Sequence, residues 1–256
     1  TSIHKVLELL EQSENKYYNK LISNKIQFKK DFKLKDISFR YEFNSPIILN
    51  NINLSIKKGE KIGLIGVTGS GKSTLVDLMM GLLKPTAGKL LVDNIDLYDN
   101  KLDNLIPAWR AKIAHVPQNI YLADTSIAEN IAIGVKKQNI DLNRLKDAAQ
   151  KAQISNYIDS LPLKYMSTIG EQGIRLSGGQ RQRIGIARAL YKKCNILFLD
   201  EATSALDSKT EDSILQSLKS LPTDLTVVLI AHRLSTLKDC NTVYKFEDRK
   251  LVKVDI

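Results

Sequence analysis

Long apolar runs are missing from this chain of 256 residues. It holds no run of about 18 apolar residues, the length that a membrane-spanning helix needs, so none of its own segments is expected to cross a bilayer. Cysteine is scarce too, because Cys194 and Cys240 stand far apart and lack metal-ligand spacing, which excludes a disulfide framework and a zinc site. Repeats, low-complexity tracts and a signal-peptide pattern are also absent. The length allows one domain, with room for two lobes, and the two thiols are expected to be reduced and packed.

Acidic residues are outnumbered, since 38 lysines and arginines face 28 aspartates and glutamates, which gives a net charge of +10. The bias is densest in the first 35 residues, where eight lysines face four acids. A basic chain can bind nucleic acid or an anionic membrane surface, but a lysine-rich proteome produces the same balance without any such partner. The charge by itself leaves these alternatives open.

One cluster of glycines carries chemistry. Residues Gly66–Ser73, with Thr74 directly after them, follow the phosphate-loop pattern G-x-x-x-x-G-K-[ST], in which glycines let backbone N–H groups crowd around an anion without a Cβ in the way. The apolar stretch Lys61–Ile65 predicts a buried parallel strand before the loop, and Leu75–Leu83 predicts a helix after it, beginning near Lys72. Strand, loop and helix are the setting that the pattern requires, because the helix N-terminus attracts phosphate. Lys72 is expected to reach the β- and γ-phosphates, and Ser73 to bind Mg²⁺.

Two carboxylates follow a second apolar strand. Asn195–Leu199 ends in Asp200 and Glu201, and ligands of open α/β sheets bind at the C-terminal ends of the strands. Asp200 is expected to hold Mg²⁺ through water, and Glu201 to polarise an attacking water. His232 stands just beyond the apolar strand Thr226–Ile230 and is therefore expected at the same edge of the sheet.

The chain divides into segments of different pattern. Alternation in Phe32–Phe39 predicts a half-buried strand, and Ile47–Leu49 and Ile52–Ile56 predict two more, so that this part forms a β-rich lobe. A helix-rich stretch follows from residue 119, with Leu142–Ala152 as its clearest helix, and it predicts a helical lobe over about residues 119–190.

A third motif, Leu176–Gln180, combines a Ser cap with two glycines at a predicted helix start. Its sequence LSGGQ is identical to the signature motif of ATP-binding cassette (ABC) proteins, and the chain resembles an ABC transporter nucleotide-binding domain from about Phe32 to its end. The remaining motifs of the family occur in the family's order. They are the adenine-stacking aromatic residue at Tyr41, the Q-loop glutamine at Gln118, the D-loop at Ser204–Asp207 and the switch histidine at His232.

The resemblance implies an α/β fold with a P-loop NTPase core, an antiparallel β lobe and a helical lobe. It also implies that two domains face each other head to tail and bind ATP and Mg²⁺ between them. One copy would contribute ATP contacts from Tyr41, Gly66, Thr68, Gly69, Ser70, Gly71, Lys72, Ser73, Thr74 and Gln118, and the other copy Ser177, Gly178, Gly179 and Gln180. Mg²⁺ would be held by Ser73, Gln118 and Asp200. Hydrolysis would use Glu201 as general base or water-orienting group, together with His232, Lys72 and Gln118.

Three kinds of ABC protein share these motifs: exporters or flippases, free importer subunits, and SMC-like DNA-associated ATPases. Thr168–Gly173 resembles the exporter pattern T-x-x-G-E-x-G, although Gln172 stands where exporters often have Arg. Apolar residues at helical spacing near the start predict the end of an absent transmembrane region over residues 1–31, which leaves 32–256 for the ATPase domain. The phosphate loop and the signature motif are only about a hundred residues apart, with no long heptad arm between them, which argues against the DNA-associated class. We therefore expect a homodimeric exporter ATPase at the cytoplasmic face of the inner membrane, with a transmembrane domain and not nucleic acid as its further partner.

Overall fold

The computed structural model describes residues 26–99, 102, 105–170, 173–200, 219, 221–231 and 234–254. Every structural statement below concerns these residues. The predictions for Glu201, His232, Ser204–Asp207, the pair Glu171–Gln172 and the helical start of the chain lie outside them.

An antiparallel sheet forms the first layer. Its strands are β1 (Asp31–Phe39), β2 (Leu49–Lys57), β4 (Ala87–Val92) and β5 (Ile95–Asp96), in the order β2-β1-β4-β5. The two strands predicted over residues 47–56 are a single strand, β2, whose bend at Asn51 has a φ of 52°. In β1 a bulge at Asp36, with a φ of 53°, explains why the buried side chains are spaced unevenly.

A second, mostly parallel sheet forms the central layer. It contains β3 (Lys61–Gly66), β6 (Ile113–Val116), β7 (Ile196–Asp200), β8 (Thr226–Ile230), β9 (Thr242–Glu247) and β10 (Lys250–Val254), in the order β10-β9-β3-β8-β7-β6. Among these described strands, β10 at one edge pairs antiparallel with β9, and the other neighbours pair parallel. The strands predicted before the phosphate loop and before the two carboxylates are β3 and β7, so those two predictions are confirmed.

Helices make up the outer layers. They are α1 (Lys72–Met79), α2 (Leu105–Lys112), α3 (Ile127–Ile131), α4 (Leu142–Lys151), α5 (Ser155–Ser160) and α6 (Gly178–Lys192), with short 3-10 turns at Lys137–Asn139, Lys164–Met166 and Leu234–Leu237. The helix predicted to run to Leu83 ends at Met79, because Gly81 turns the chain into the left-handed region at a φ of 71°. None of the helices in the described ranges is long and apolar enough to span a membrane.

The central sheet is buried on both faces. Alternate residues of β7, such as Leu197 and Leu199, pack with α3–α6, whereas Phe198 packs with α1, α2 and the antiparallel sheet. On that second side Trp109 is fully buried and stacks on Phe32 at a ring distance of 4.9 Å. The predicted α/β class with an antiparallel β layer and a helical layer is therefore the observed architecture.

Candidate nucleotide-binding site

The phosphate loop lies between β3 and α1, as the pattern predicts. β3 ends at Gly66 and α1 begins at Lys72, with Gly71 as its N-cap in a left-handed conformation (φ 110°). A left-handed cap favours glycine, because other side chains are strained there. The first N–H groups of α1 have no acceptors within the helix, and they point with the positive end of the helix dipole toward the loop. The geometry is that of an anion-binding turn.

The three glycines of the loop differ in their surroundings. A Cβ on Gly66 would lie 2.9 Å from the Cβ of Phe246, and one on Gly71 would lie 3.3 Å from side-chain atoms of Ile48, Leu49 and Phe246. A Cβ on Gly69 would meet no atom of the described residues within 4 Å. Two glycines thus allow the loop to pack on the protein, and the third has open space beside it in the part of the chain that the structure describes.

Lys72 lies folded over the loop. It is only 6% exposed, and its Nζ donates to the carbonyl oxygens of Gly66 (2.8 Å) and Val67 (2.9 Å). Ser70 adds a buried hydroxyl that has no hydrogen-bond partner among the described residues. A cation and an unsatisfied hydroxyl beside a helix N-terminus suit a phosphate chain.

Tyr41 reaches the loop from the antiparallel sheet. Its hydroxyl and the Oγ1 of Thr74 are 3.1 Å apart, and its ring packs edge-on against Phe39 with centroids 5.0 Å apart. Tyr41 as a whole is 60% exposed. The structure therefore brings the aromatic residue that the sequence singled out next to the phosphate loop, with a ring face available for stacking.

Asp200 lies at the same sheet edge as the loop. It ends β7 and pairs with Ile230 of β8, which in turn pairs with Leu64 of β3 near the start of the loop. The Ala231 N–H, one residue before the predicted switch histidine, donates to the Leu64 carbonyl at 3.1 Å. The strand ends that were expected to meet at this edge do meet there.

The oxygen atoms of Ser73 and Asp200 are of the kind that Mg²⁺ prefers. Ser73 is exposed beside the buried Lys72. Within the described ranges no group of three or more His, Cys, Asp or Glu could hold a metal by itself.

His115, on β6, is a neighbour of this edge that the sequence did not single out. Burial lowers the pKa of its imidazole, although the charges of Asp200 and Asp77 raise it. Burial in turn raises the pKa of Asp77, against the opposing effect of His115. No sequence signal pointed to His115, because a single histidine in a strand is more often structural.

Gln118 follows β6, and its side chain is exposed. Its backbone carbonyl accepts a hydrogen bond from Nε2 of Gln182, on α6, at 3.1 Å. Sequence reasoning missed Gln182, since a contact to a backbone carbonyl leaves no pattern in the side chains.

The signature motif forms a capped helix start. Ser177 is the N-cap of α6, and its hydroxyl accepts from the Gln180 N–H at 3.3 Å. Gln180 Oε1 accepts from the Ser177 N–H at 2.8 Å, which completes a capping box. Gly178 and Gly179 are the first helical residues, so their backbone N–H groups stand at the positive end of a helix of 15 residues.

A glycine loop between a parallel strand and a helix, with its lysine and a carboxylate at the same sheet edge, defines a P-loop nucleotide-binding protein. Comparison with known proteins identifies the family within this class. Residues 49–204 match the sequence profile described as ABC transporter. The chain belongs to the ABC transporter family.

Three individual relatives are similar to this chain over most of its length. The chain is 42% identical over 253 residues to the leukotoxin translocation ATP-binding protein LktB of Mannheimia glucosida, covering 98% of this chain and 34% of that protein. It is 41% identical over 225 residues to the chloroplastic ABC transporter B family member 29 of Arabidopsis thaliana, covering 88% and 35%. It is 40% identical over 224 residues to the ATP-dependent lipid A-core flippase of Ralstonia nicotianae, covering 87% and 37%.

A solved structure is similar as well. It is that of a bacterial Atm1-family ABC exporter with ATP bound, with a TM-score of 0.78 and 32% identity, covering 89% of this chain and 38% of that one. The chain thus spans about a third of the length of the proteins it matches.

Proposed function

We propose that this chain is the ATP-hydrolysing domain of an exporter- or flippase-type ABC transporter, and that two copies act head to tail. The observation that carries the proposal is the phosphate loop, with Lys72 folded over it and Asp200 at the same sheet edge. The names of the relatives support the exporter type, since they describe a translocation ATP-binding protein, a flippase and an exporter.

The proposed reaction is phosphoryl transfer from ATP to water, in which the protein positions the reactants and stabilises charge. Lys72 would neutralise the β- and γ-phosphates, and Tyr41 would stack on adenine. Ser73, Gln118 and Asp200 would hold Mg²⁺, whose positive charge would be available to the phosphate oxygens. Glu201 would orient the attacking water and His232 would contact the γ-phosphate.

The second copy would supply the start of its α6. Ser177, Gly178 and Gly179 present a hydroxyl and backbone N–H groups at a helix N-terminus, which can bind the γ-phosphate from the other side. One nucleotide would then lie between the phosphate loop of one copy and the signature motif of the other. Because each chain carries both halves, two identical copies would be enough to form two such sites, and we propose this homodimer.

A transmembrane domain is the further partner that we propose, with the chain at the cytoplasmic face of the inner membrane. A cleft of about 600 Å³ separates the end of α1 from the helical layer, and Leu82 (55% exposed), Ile133 (58%) and Val135 (37%) lie along it. Exposed apolar side chains gathered in a cleft mark an interaction surface. The relatives are about three times as long as this chain, which leaves room in them for such a domain.

The test is a Glu201→Gln variant of the full chain. It should bind Mg·ATP, hydrolyse it at least about a hundredfold more slowly than wild type, and elute as a dimer only when ATP is present. Lys72→Met is the matched variant, and it should neither bind ATP tightly nor dimerise when ATP is present. Wild-type turnover by Glu201→Gln would overturn the hydrolytic role, and a monomer at high protein and ATP concentration would overturn the paired arrangement.

A further inference from the structure

One stripe of α6 is attached to the segment that follows β6. Gln182, Gly185 and Arg188 are three residues apart, so they share one face of the helix. All three contact residues 116–130, the part of the chain that holds Gln118, and we name this segment the Q-segment. The start of the same helix carries the signature motif.

Gln182 makes the contact nearest to Gln118. Its side chain is 7% exposed, and its Nε2 donates to the Gln118 carbonyl oxygen across 64 residues of sequence. Its Oε1 has no hydrogen-bond partner among the described residues. A buried amide with one unsatisfied oxygen is a poor means of stabilising a fold, because an apolar side chain of the same shape would avoid that cost. The presence of Gln182 is therefore better explained by the position in which it holds the Gln118 main chain than by a gain in stability.

Gly185 and Arg188 continue the attachment. A Cβ on Gly185 would lie 2.5 Å from Cδ1 of Ile120 and 3.1 Å from Cγ1 of Val116, so the helix approaches the Q-segment as closely as a glycine allows. Arg188 donates from Nε to the Asn130 carbonyl (2.6 Å), from Nη2 to the Asn130 Oδ1 (2.9 Å) and from Nη1 to the Tyr121 carbonyl (2.7 Å).

We infer that Gln182 is a positioning residue that fixes the main chain at Gln118 from the signature helix. The inference rests on the proposed function, because the Gln118 side chain is useful only if it reaches the Mg·ATP site. Close packing at Gly185 and three charged hydrogen bonds from Arg188 hold the Q-segment on α6. The Gln182 bond then sets where the Q-segment places Gln118. In the proposed pair, α6 would contact one nucleotide through Ser177 at its start, and the Q-segment attached to α6 would lie beside the other nucleotide. One rigid helix would thus connect the two nucleotide sites.

Hydrogen exchange of the full chain tests the physical part without needing activity. Gln182→Met keeps the length and burial of the side chain and removes the donor. Amides of residues 118–123, among which the Ala123 N–H donates to the Asn130 Oδ1, should exchange about fivefold faster, the factor that corresponds to one neutral hydrogen bond. Amides of α4 should not change. Gln150→Met, the same substitution at an exposed position of α4, is the control and should leave residues 118–123 as in wild type. Unchanged exchange at residues 118–123 in Gln182→Met would overturn the inference.

Steady-state kinetics test the positioning part. Gln182→Met should lower kcat roughly tenfold and raise the Mg²⁺ concentration for half-maximal rate, while the KM for ATP stays within about twofold, because misplacement of a group that acts in the reaction lowers kcat. A merely structural role would lower the unfolding temperature and leave these kinetic values unchanged, and that result would overturn the inference. If the wild-type chain hydrolyses no ATP, the proposed function fails, whereas the exchange experiment still decides the contact.

A steric rescue gives a second, independent variant. Gly185→Ala should slow turnover by pushing on Ile120, and Ile120→Val, which removes the conflicting Cδ1 atom, should restore it in the double variant. Additive losses in the double variant would overturn the assignment of this face of α6 to the positioning of the Q-segment.

Discussion

Two glycines of this chain form a matched pair for testing the phosphate loop. Gly69 has a φ of 78° and Gly134 a φ of 81°, and a Cβ on either would meet no atom within 4 Å among the residues that the structure describes. Gly69 lies in the loop, whereas Gly134 lies in the turn after α3. Replacement of each by alanine therefore imposes the same backbone strain and no collision with the described residues, and the two variants differ in what approaches the new methyl group.

The expected stability cost is the same for both. An L-residue in the left-handed region costs about 1–2 kcal/mol, so each variant should unfold a few degrees lower, by about 2–4 °C per kcal/mol for a domain of this size. ATP affinity should separate them. In Gly69→Ala the methyl group occupies the space where backbone N–H groups would meet phosphate, and affinity should fall at least about tenfold, whereas Gly134→Ala should bind as wild type does.

The assay is calorimetric titration with ATP and Mg²⁺, alongside thermal unfolding of the same samples without nucleotide. Equal ATP affinity in the two variants would refute the argument that open space at Gly69 is where the anion approaches. A large loss of stability in Gly69→Ala alone would refute it in another way, because the affinity change would then follow from a damaged loop.

Three further predictions follow from the described contacts. Trp109→Phe should lower the free energy of unfolding by about 2–4 kcal/mol in urea titrations followed by circular dichroism, since it removes packed area and the 2.8 Å bond from Nε1 to the Met79 carbonyl. Burial raises the pKa of Cys194 to about 11 and of Cys240 to about 12, so iodoacetamide at pH 8 should alkylate the native thiols at least about a hundredfold more slowly than the thiols of the urea-unfolded chain, and equal rates would contradict this. For the same reason the free energy of unfolding should fall as the pH rises above about 9, where only the thiols of the unfolded chain ionise. Ser177→Ala should cost about 1 kcal/mol through the lost cap, whereas Ser177→Asp should keep thermal stability but lose ATP-dependent dimerisation in sizing experiments, because it adds a negative charge facing phosphate.

The sequence predicted the parts of the fold that are determined by residues close together in the chain. β3, the phosphate loop and the start of α1 follow from apolar length, glycine and a helix-forming stretch, and the capped start of α6 follows from Ser177 and Gln180. Glu201 and His232 remain predictions, since they lie outside the described residues.

The parts that the sequence did not predict depend on partners far along the chain. Nothing in the pattern of β2 shows that residues on both sides of Asn51 continue one strand, because a left-handed residue allows either a turn or a bend. Three of the four bonds from Gln182 and Arg188 end on backbone carbonyls 58 to 67 residues away, and the fourth ends on the side-chain Oδ1 of Asn130. Every residue has such a carbonyl, so the sequence could name neither the acceptor nor the purpose of the donor.

Backbone carbonyls also bear on the basic charge of the chain. Arg110 donates to the Gly81 carbonyl just beyond α1, Arg188 to that of Asn130 in the last turn of α3, and Lys192 to that of Arg110 in the last turn of α2 (3.0 Å). The last carbonyls of a helix lack partners within the helix and carry the negative end of its dipole, so a nearby cation satisfies both. Burial lowers the pKa of Arg188 and of Lys192, because removal from water disfavours the charged form. Arg110, Arg188 and Lys192 count toward the net charge, but their hydrogen bonds are directed at helix ends around the cleft. This part of the basic excess is therefore explained by the architecture and is not evidence for a polyanionic partner.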